Sequence, residues 1–364
     1  MIVTRRGFLQ QAGVVAAGVT LGSAAAHAVA PAVSAGGEAQ RAALHGALVW
    51  DNHSGFDPRP DFDLEHLEDW RKAGVDYLSI DVGYDVIDWQ MAVKNLASYV
   101  TWLEERPERF VLARQADDVV GAKRAGKMAI TFDLEGMSAL NGDANMVSLY
   151  YRLGVRQMLI AYNRNNLAGG GCHDDDHGLT EFGRRVIAEM NRVGMVVDCS
   201  HTGHRTTMDV MEMARQPVIF SHSNPKALRT HGRNITDDQI QACARTGGVV
   251  GINGLGLFLP DRNASTGALV DCIDYVRKLV GPEHVGIGLD YSPPALEDAL
   301  NDQLNQHTEF WPPSECAAQG PTKDAGPDRF AAIATTLLKR GWSRGDVDKV
   351  LGGNFLRVAR AVWK

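Results

Sequence analysis

The amino-acid sequence predicts an α/β protein, a (β/α)8 TIM barrel with C-terminal helices, on three observations. Eight short β-prone runs recur along the chain. Each is nearly continuous in apolar residues with little alternation, as in parallel strands covered on both faces. Helix-like segments separate most of them, and 364 residues suffice for one large barrel. Hydrophobic residues at 45% and charged residues at 22% are ordinary for a globular chain and exclude wholesale disorder. A core of that size needs no disulfide staple or structural metal.

In chain order, residues 1–30 read as an export address. Thr4-Arg5-Arg6-Gly7-Phe8-Leu9 precedes an apolar Ala/Gly/Val-rich stretch, Ala12 to Ala26, which ends in small residues suited to cleavage. The paired arginines resemble a twin-arginine signal, and the apolar run is short for a membrane span. The expectation is a periplasmic or secreted protein, delivered by the twin-arginine machinery and without a stable membrane anchor. Residues 31–364 are then one barrel domain. Lys and Arg number 37 against 44 Asp and Glu, a net charge of −7, which argues against a nucleic-acid partner. Removing Arg5 and Arg6 with the signal makes it two units more negative.

The eight runs are 46–51, 75–81, 127–133, 155–162, 195–199, 217–221, 248–253 and 284–290. Between them, Phe182, Val186, Met190 and Val193 recur at helical spacing, with Thr180 as the expected N-cap and Gly194 as the stop. Thr236-Asp237-Asp238-Gln239 is a capping-box pattern. Two segments do not fit a plain barrel: the Gly/Asp/His loop 163–178 and the Pro-, Asp- and Gln-rich stretch 292–327. Both follow strands, so both are expected to shape a pocket. Of five scattered cysteines, Cys199 and Cys243 sit in apolar runs and are expected to be buried. The odd number leaves at least one thiol free or paired with another chain.

What terminates each run carries the chemistry. Run 1 leads into Asp51-Asn52-His53, run 2 ends in Asp81, and run 3 leads into Asp133-Leu134-Glu135. Run 4 ends in Tyr162, runs 5 and 6 lead to His201 and His222, and runs 7 and 8 end in Asn253 and Asp290. Strand C-termini of such a barrel converge on one mouth, where catalysis is done. A lone strand-end histidine is more often a hydrogen-bonded loop residue. Convergence of His53, Glu135, His201 and His222 is instead what a hydrolytic zinc site needs: neutral imidazoles and a carboxylate around an open position. His173 and His177 flank an Asp run and are expected in a solvated loop. His204 is expected on a helix surface, and His284 at the opposite end of the barrel.

Several stretches resemble the membrane (renal) dipeptidase family. They are Gly178-Leu179-Thr180, the run from Asn191 to His201, Pro217 to Asn224, Arg233-Asn234-Ile235-Thr236-Asp237, Gly248 to Gly251 and Gly352 to Arg357. The resemblance spans about His53 to the C-terminus. It implies a metal-dependent amidohydrolase-type barrel, usually with two zinc ions and plausibly a homodimer, that splits dipeptides. On that resemblance Glu135 bridges both metals, His201 and His222 complete the second, and His53 serves the first. Arg233 holds the substrate carboxylate and Asp290 handles the proton.

Two positions depart from the family pattern. Gly55 stands where the family's His-x-Asp motif has its aspartate, leaving Asp51, Asp57 or Asp81 as alternative replacements. Tyr162 replaces a histidine that contacts the scissile carbonyl; a phenol can still donate to an oxyanion but carries no positive charge near neutral pH. The expected activity is zinc-dependent hydrolysis of dipeptides or similar short amides. The alternatives are a hydrolase acting on a modified peptide or other amide, and a non-catalytic dipeptidase-like binding or maturation protein.

Overall fold

A computed structural model describes residues 43–44, 46–55, 58–293 and 306–364. The expected export signal and Asp57 lie outside the described residues. Among the described residues there are nine strands: β1 Trp50–Ser54, β2 Tyr77–Tyr84, β3 Phe110–Leu112, β4 Met128–Glu135, β5 Val155–Leu159, β6 Val196–Asp198, β7 Val218–Ile219, β8 Val250–Ile252 and β9 Val285–Ile287. All pairings between them are parallel, and a curled sheet runs β1-β2-β4-β5-β6-β7 beside a β8-β9 pair. Single bridges join the two, Phe220 to Val250 and Ser54 to Tyr291, and close the ring. The α/β barrel expected from the eight runs is therefore the fold.

Three details differ from the pattern. The first three expected runs start earlier than the observed strands and stop short of their ends, so His53 and Glu135 lie inside strands. A polar residue stands one or two positions before each of these side chains, Asn52 before His53 and Asp133 before Glu135, and an apolar-run criterion stops there. β3 was not anticipated; its three residues pair with the start of β4, outside the ring, and are too short for a periodic signal. β1 also carries an irregularity between Asp51 and Ser54. Trp50 and Asn52 face inward, Trp50 stacking on Tyr77 and Asn52 bonding Gln157 at 3.1 Å, yet His53 faces inward as well. Such a bulge breaks the two-residue alternation of a strand.

Helices cover the ring. Among them α1 Leu67–Ala73, α2 Trp89–Glu104, α3 Ala116–Arg124 and α4 Met146–Leu153 follow the first half of the sheet. α5 Glu181–Val193 begins at Thr180, whose hydroxyl accepts from Gly183 N, and stops at left-handed Gly194 (φ 94°). Its buried face is Val186, Ile187 and Met190. α6 His204–Met213 precedes α7 Asp237–Arg245, which opens with the expected capping box. α8 Thr266–Val280, α9 Arg329–Lys339, α10 Arg344–Asp348 and α11 Asn354–Val362 complete the chain. Phe355, Val358 and Val362 of α11 pack with Trp50, Tyr77, Ala129, Val196 and Ile219 at the strand starts. That end is a sealed apolar plug, so chemistry is confined to the other end. No helix among the described residues is long and apolar enough to cross a membrane.

Candidate metal centre and active site

At the C-terminal ends of the strands, three imidazoles and one carboxylate meet. Glu135 Oε1 lies 3.2 Å from His222 Nε2 and 3.4 Å from the Nε2 atoms of both His53 and His201. The Nε2 atoms of His201 and His222 are 3.0 Å apart. Behind each ring stands a partner for Nδ1: Asp133 Oδ1 for His53 (3.1 Å), Asn163 Oδ1 for His201 (2.7 Å) and Ser221 Oγ for His222 (2.6 Å). Asp133 and Asn163 accept, so His53 and His201 carry their protons on Nδ1, a tautomer assigned from this network. Both Nε2 atoms then face Glu135; His201 presents a lone pair there, and His53 does so once a cation takes the place of its Nε2 proton. His53 Nε2 and Glu135 Oε1 are buried with no hydrogen-bond partner. Converging lone pairs and an orphaned carboxylate oxygen repel one another unless a cation sits between them.

Burial drives the protonation states. His201 and His222 are held well below the usual imidazole range, first by desolvation and then by the positive charges of Arg233 and His53. Both are neutral, as metal ligands must be. Desolvation also acts downward on His53, but Asp133, Glu135 and Asp290 outweigh it and hold it above its ordinary value. Burial raises Glu135 well above the carboxylate range, opposed by His53 and reinforced by Asp81, Asp290 and Asp133. A divalent cation would reverse this by favouring the carboxylate.

Among the described residues two overlapping groups have ligand atoms mutually within 4.8 Å: Glu135, His201 and His222, and His53, His222 and Asp290. The side chains present thus fit a metal. Asp290 Oδ2 accepts from Asn253 Nδ2 at 2.9 Å, which leaves Oδ1 3.6 Å from His53 Nε2. Gly55 permits this approach, because a Cβ there would stand 2.5 Å from the Asp290 carbonyl oxygen and 2.8 Å from Oδ1. Of the suggested replacements for the missing aspartate, Asp51 does not serve. Its oxygens accept from Trp70 Nε1 and Leu289 N, each at 2.8 Å, and it belongs to neither metal-capable group. Asp81 accepts from Gly83 N at 2.9 Å and belongs to neither metal-capable group. Asp290 stands against the space that Gly55 leaves.

The other expected residues border this cluster. The Tyr162 ring stacks on His201 with centroids 4.2 Å apart, and burial and then Glu135 push its phenol far up, so it stays protonated. Arg233 is 3% exposed, donates to His222 O (2.8 Å) and Ser223 Oγ (3.1 Å), and keeps Nε buried without a partner. Arg233 and His201 line a cavity of about 220 Å³ with Cys172 and Gly232 from the adjoining loops. Of the clustered side chains only His201 lines it, so it opens beside the metal-capable groups rather than on them. Of the five non-glycine residues with positive φ among those described, three are Asn163, His201 and Asp290. Backbone strain of about 1–3 kcal/mol each is concentrated where function needs fixed side chains.

Sequence reasoning missed the supports. Asp133 sits two residues before Glu135, and strand period alone places both on one face. Asn253 ends run 7 and Asn163 follows Tyr162, so strand-end polarity marks their place, but no spacing pairs them with Asp290 and His201. His173, expected in a solvated loop, is instead half-buried, its ring 6.0 Å from that of His231. His177 is exposed, as is His204, which pairs with Asp238 on the surface. Cys199 and Cys243 are fully buried.

Fold and site together define a parallel barrel with a histidine–carboxylate cluster at its mouth that could hold a metal. The profile of the membrane dipeptidase family, peptidase family M19, matches residues 61–307. The chain belongs to that family. It is 30% identical to dipeptidase tcpJ of Claviceps purpurea over 269 residues, 71% of this chain and 57% of that one. It is 36% identical to an uncharacterized dipeptidase of Schizosaccharomyces pombe over 200 residues, 50% of this chain and 47% of that one. The chain thus spans about half the length of these curated relatives. Among solved structures, an amidohydrolase from Pseudomonas aeruginosa superposes with a TM-score of 0.80 at 29% identity, covering 89% of this chain and 99% of that one.

Proposed function

We propose that this protein is an exported zinc-dependent dipeptidase. The observation that carries the reading is the inward convergence of three Nε2 atoms on the orphaned Oε1 of Glu135. Zinc held by Glu135, His201 and His222, and by His53 beside Glu135, would acidify a water and polarise the scissile carbonyl. Arg233 binds the substrate's terminal carboxylate through its guanidinium, whose Nε lacks a partner. Asp290, raised by burial against the pull of His53 and Arg233, takes the proton of the attacking water on Oδ1. It returns that proton to the amine nitrogen as the C–N bond breaks. Tyr162 donates its O–H to the carbonyl oxygen as negative charge develops there.

The phenol at 162, where the family pattern has a histidine, favours a second reading: a barrel that binds a peptide or related amide without cleaving it. A panel of dipeptides, with zinc added or chelated, separates the two. Zinc-dependent release of free amino acids is expected, with one or two zinc ions per chain by elemental analysis, the second depending on what replaces the ligand missing at Gly55. Tight binding without turnover after zinc loading would establish the binder. Arg5-Arg6 and the apolar run behind them support export by the twin-arginine route. Residues 1–30 fused to a reporter should carry it out of the cytoplasm, and Lys at positions 5 and 6 should retain it.

A further inference from the structure

The stretch 306–327 crosses the mouth and is tied to four of the surrounding loops. On one side Trp311 packs against Tyr84 and Tyr162, with centroids 6.2 and 5.6 Å away, and Arg164 donates to the Glu309 carbonyl at 3.1 Å. On the other, Gly256 N donates to Lys323 O and Lys323 N to Arg262 O, each at 2.9 Å. Between these ends lies a polar contact with the loop after β7. Glu315 Oε2 accepts from Gly232 N at 3.0 Å and lies 3.4 Å from His231 Nε2. His231 Nε2 donates to the Glu315 carbonyl at 2.7 Å, while its Nδ1 accepts from Arg233 N at 3.0 Å. His231 is 4% exposed. Gly232 allows the fit, since a Cβ there would stand 2.9 Å from the His173 ring and 3.4 Å from Glu315 Oε2.

We propose that Glu315 and His231 are positioning residues that latch this strap to the Arg233 loop and so hold the substrate chamber at dipeptide length. The inference rests on the dipeptidase reading for its substrate, but the latch itself does not. Gly232 and Arg233 form part of the cavity wall, and Glu315 braces that wall from outside the cavity. One ring, His231, bonds both the strap and the Arg233 backbone, so displacement of the strap displaces the anchoring guanidinium. With the carboxylate end fixed by Arg233, a strap held across the mouth would limit how far a peptide extends past the cluster. Loosening the latch weakens dipeptide binding and admits longer peptides together.

Glu315→Ala and Glu315→Gln test this in the full-length protein, with circular dichroism confirming the fold. Losing a hydrogen bond to a charged group predicts a rise of about tenfold in dipeptide KM for the alanine variant, with kcat within about twofold. Tripeptide turnover should appear relative to the parent, and glutamine, which keeps an acceptor for Gly232 N, should restore most of the dipeptide KM. Unchanged KM and unchanged rejection of tripeptides would overturn the proposal. Hydrogen exchange of 306–327 needs no turnover: faster exchange in Glu315→Ala supports the latch even for a protein inactive on peptides, and unchanged exchange overturns it.

Discussion

The two ends of one barrel are built on opposite principles. At the strand starts, Trp50, Tyr77, Phe355 and Val362 close the ring with apolar contacts, and no non-glycine residue there has positive φ among those described. At the strand ends, buried histidines and carboxylates crowd together, two of their atoms lack partners, and three residues are held in left-handed backbone. The plug supplies the stability that lets the mouth stay unfavourable. A protein is expected to concentrate its violations of packing and pairing rules where it works. If so, damage at one end should leave the other end's property intact.

The largest effect should come from His201→Ala, which removes an atom of the Glu135–His201–His222 group. Turnover should vanish while the thermal midpoint without metal stays the same or rises, because a buried polar group is relieved. Zinc should raise the midpoint of the parent but hardly that of the variant, a shift readable by calorimetry. Retained activity in the folded variant would remove His201 from the metal centre. Phe355→Ala is the converse. It should cost about 3–5 kcal/mol in denaturant unfolding, with specific activity of the folded fraction unchanged; a matching loss of specific activity would deny that the two ends are separable.

Smaller changes refine the mouth. Tyr162→Phe keeps the ring on His201 and deletes only the donor, so kcat should fall about a hundredfold with KM nearly constant. A rise in KM alone would make Tyr162 a binding residue instead. Asp133→Asn disturbs the orientation of His53 without touching a ligand atom and should weaken metal affinity about 10- to 100-fold by competition with a chelator. The weakest effect concerns His173, lowered to about 4 by burial and then by His231 and Arg233, against Glu315 and Asp174, which raise it. Its unfolded value of 6.5 exceeds its folded one, so the unfolded chain binds more protons between pH 6.5 and about 4. Stability should therefore fall as pH drops through that window, and His173→Asn should flatten the decline in unfolding curves taken across it.

Most of the architecture was legible because parallel strands buried on both faces write themselves as apolar runs, and strand ends write themselves as abrupt polarity. His53, Glu135, His201, His222 and Asp290 were all found this way, and the geometry brings them together. Asp51 shows where periodicity misleads. Two residues before His53, it has the parity of a neighbour, but its oxygens are taken by Trp70 Nε1 and Leu289 N. The supports, Asn163 behind His201 and Asn253 behind Asp290, sit at strand ends, but their pairing reaches across from other strands and leaves no mark in the spacing.

By itself the sequence determined the kind of fold, the end of the barrel that carries chemistry, and the residue types assembled there, since burial period and side-chain chemistry are local properties. Only the tertiary structure decided that Asp290 stands against the space left by Gly55. It alone fixed which nitrogen of His53 and His201 faces inward and showed the strap held to His231 by Glu315. Those are relations between segments far apart in the chain, set by how the closed ring packs, and no spacing along the chain encodes them.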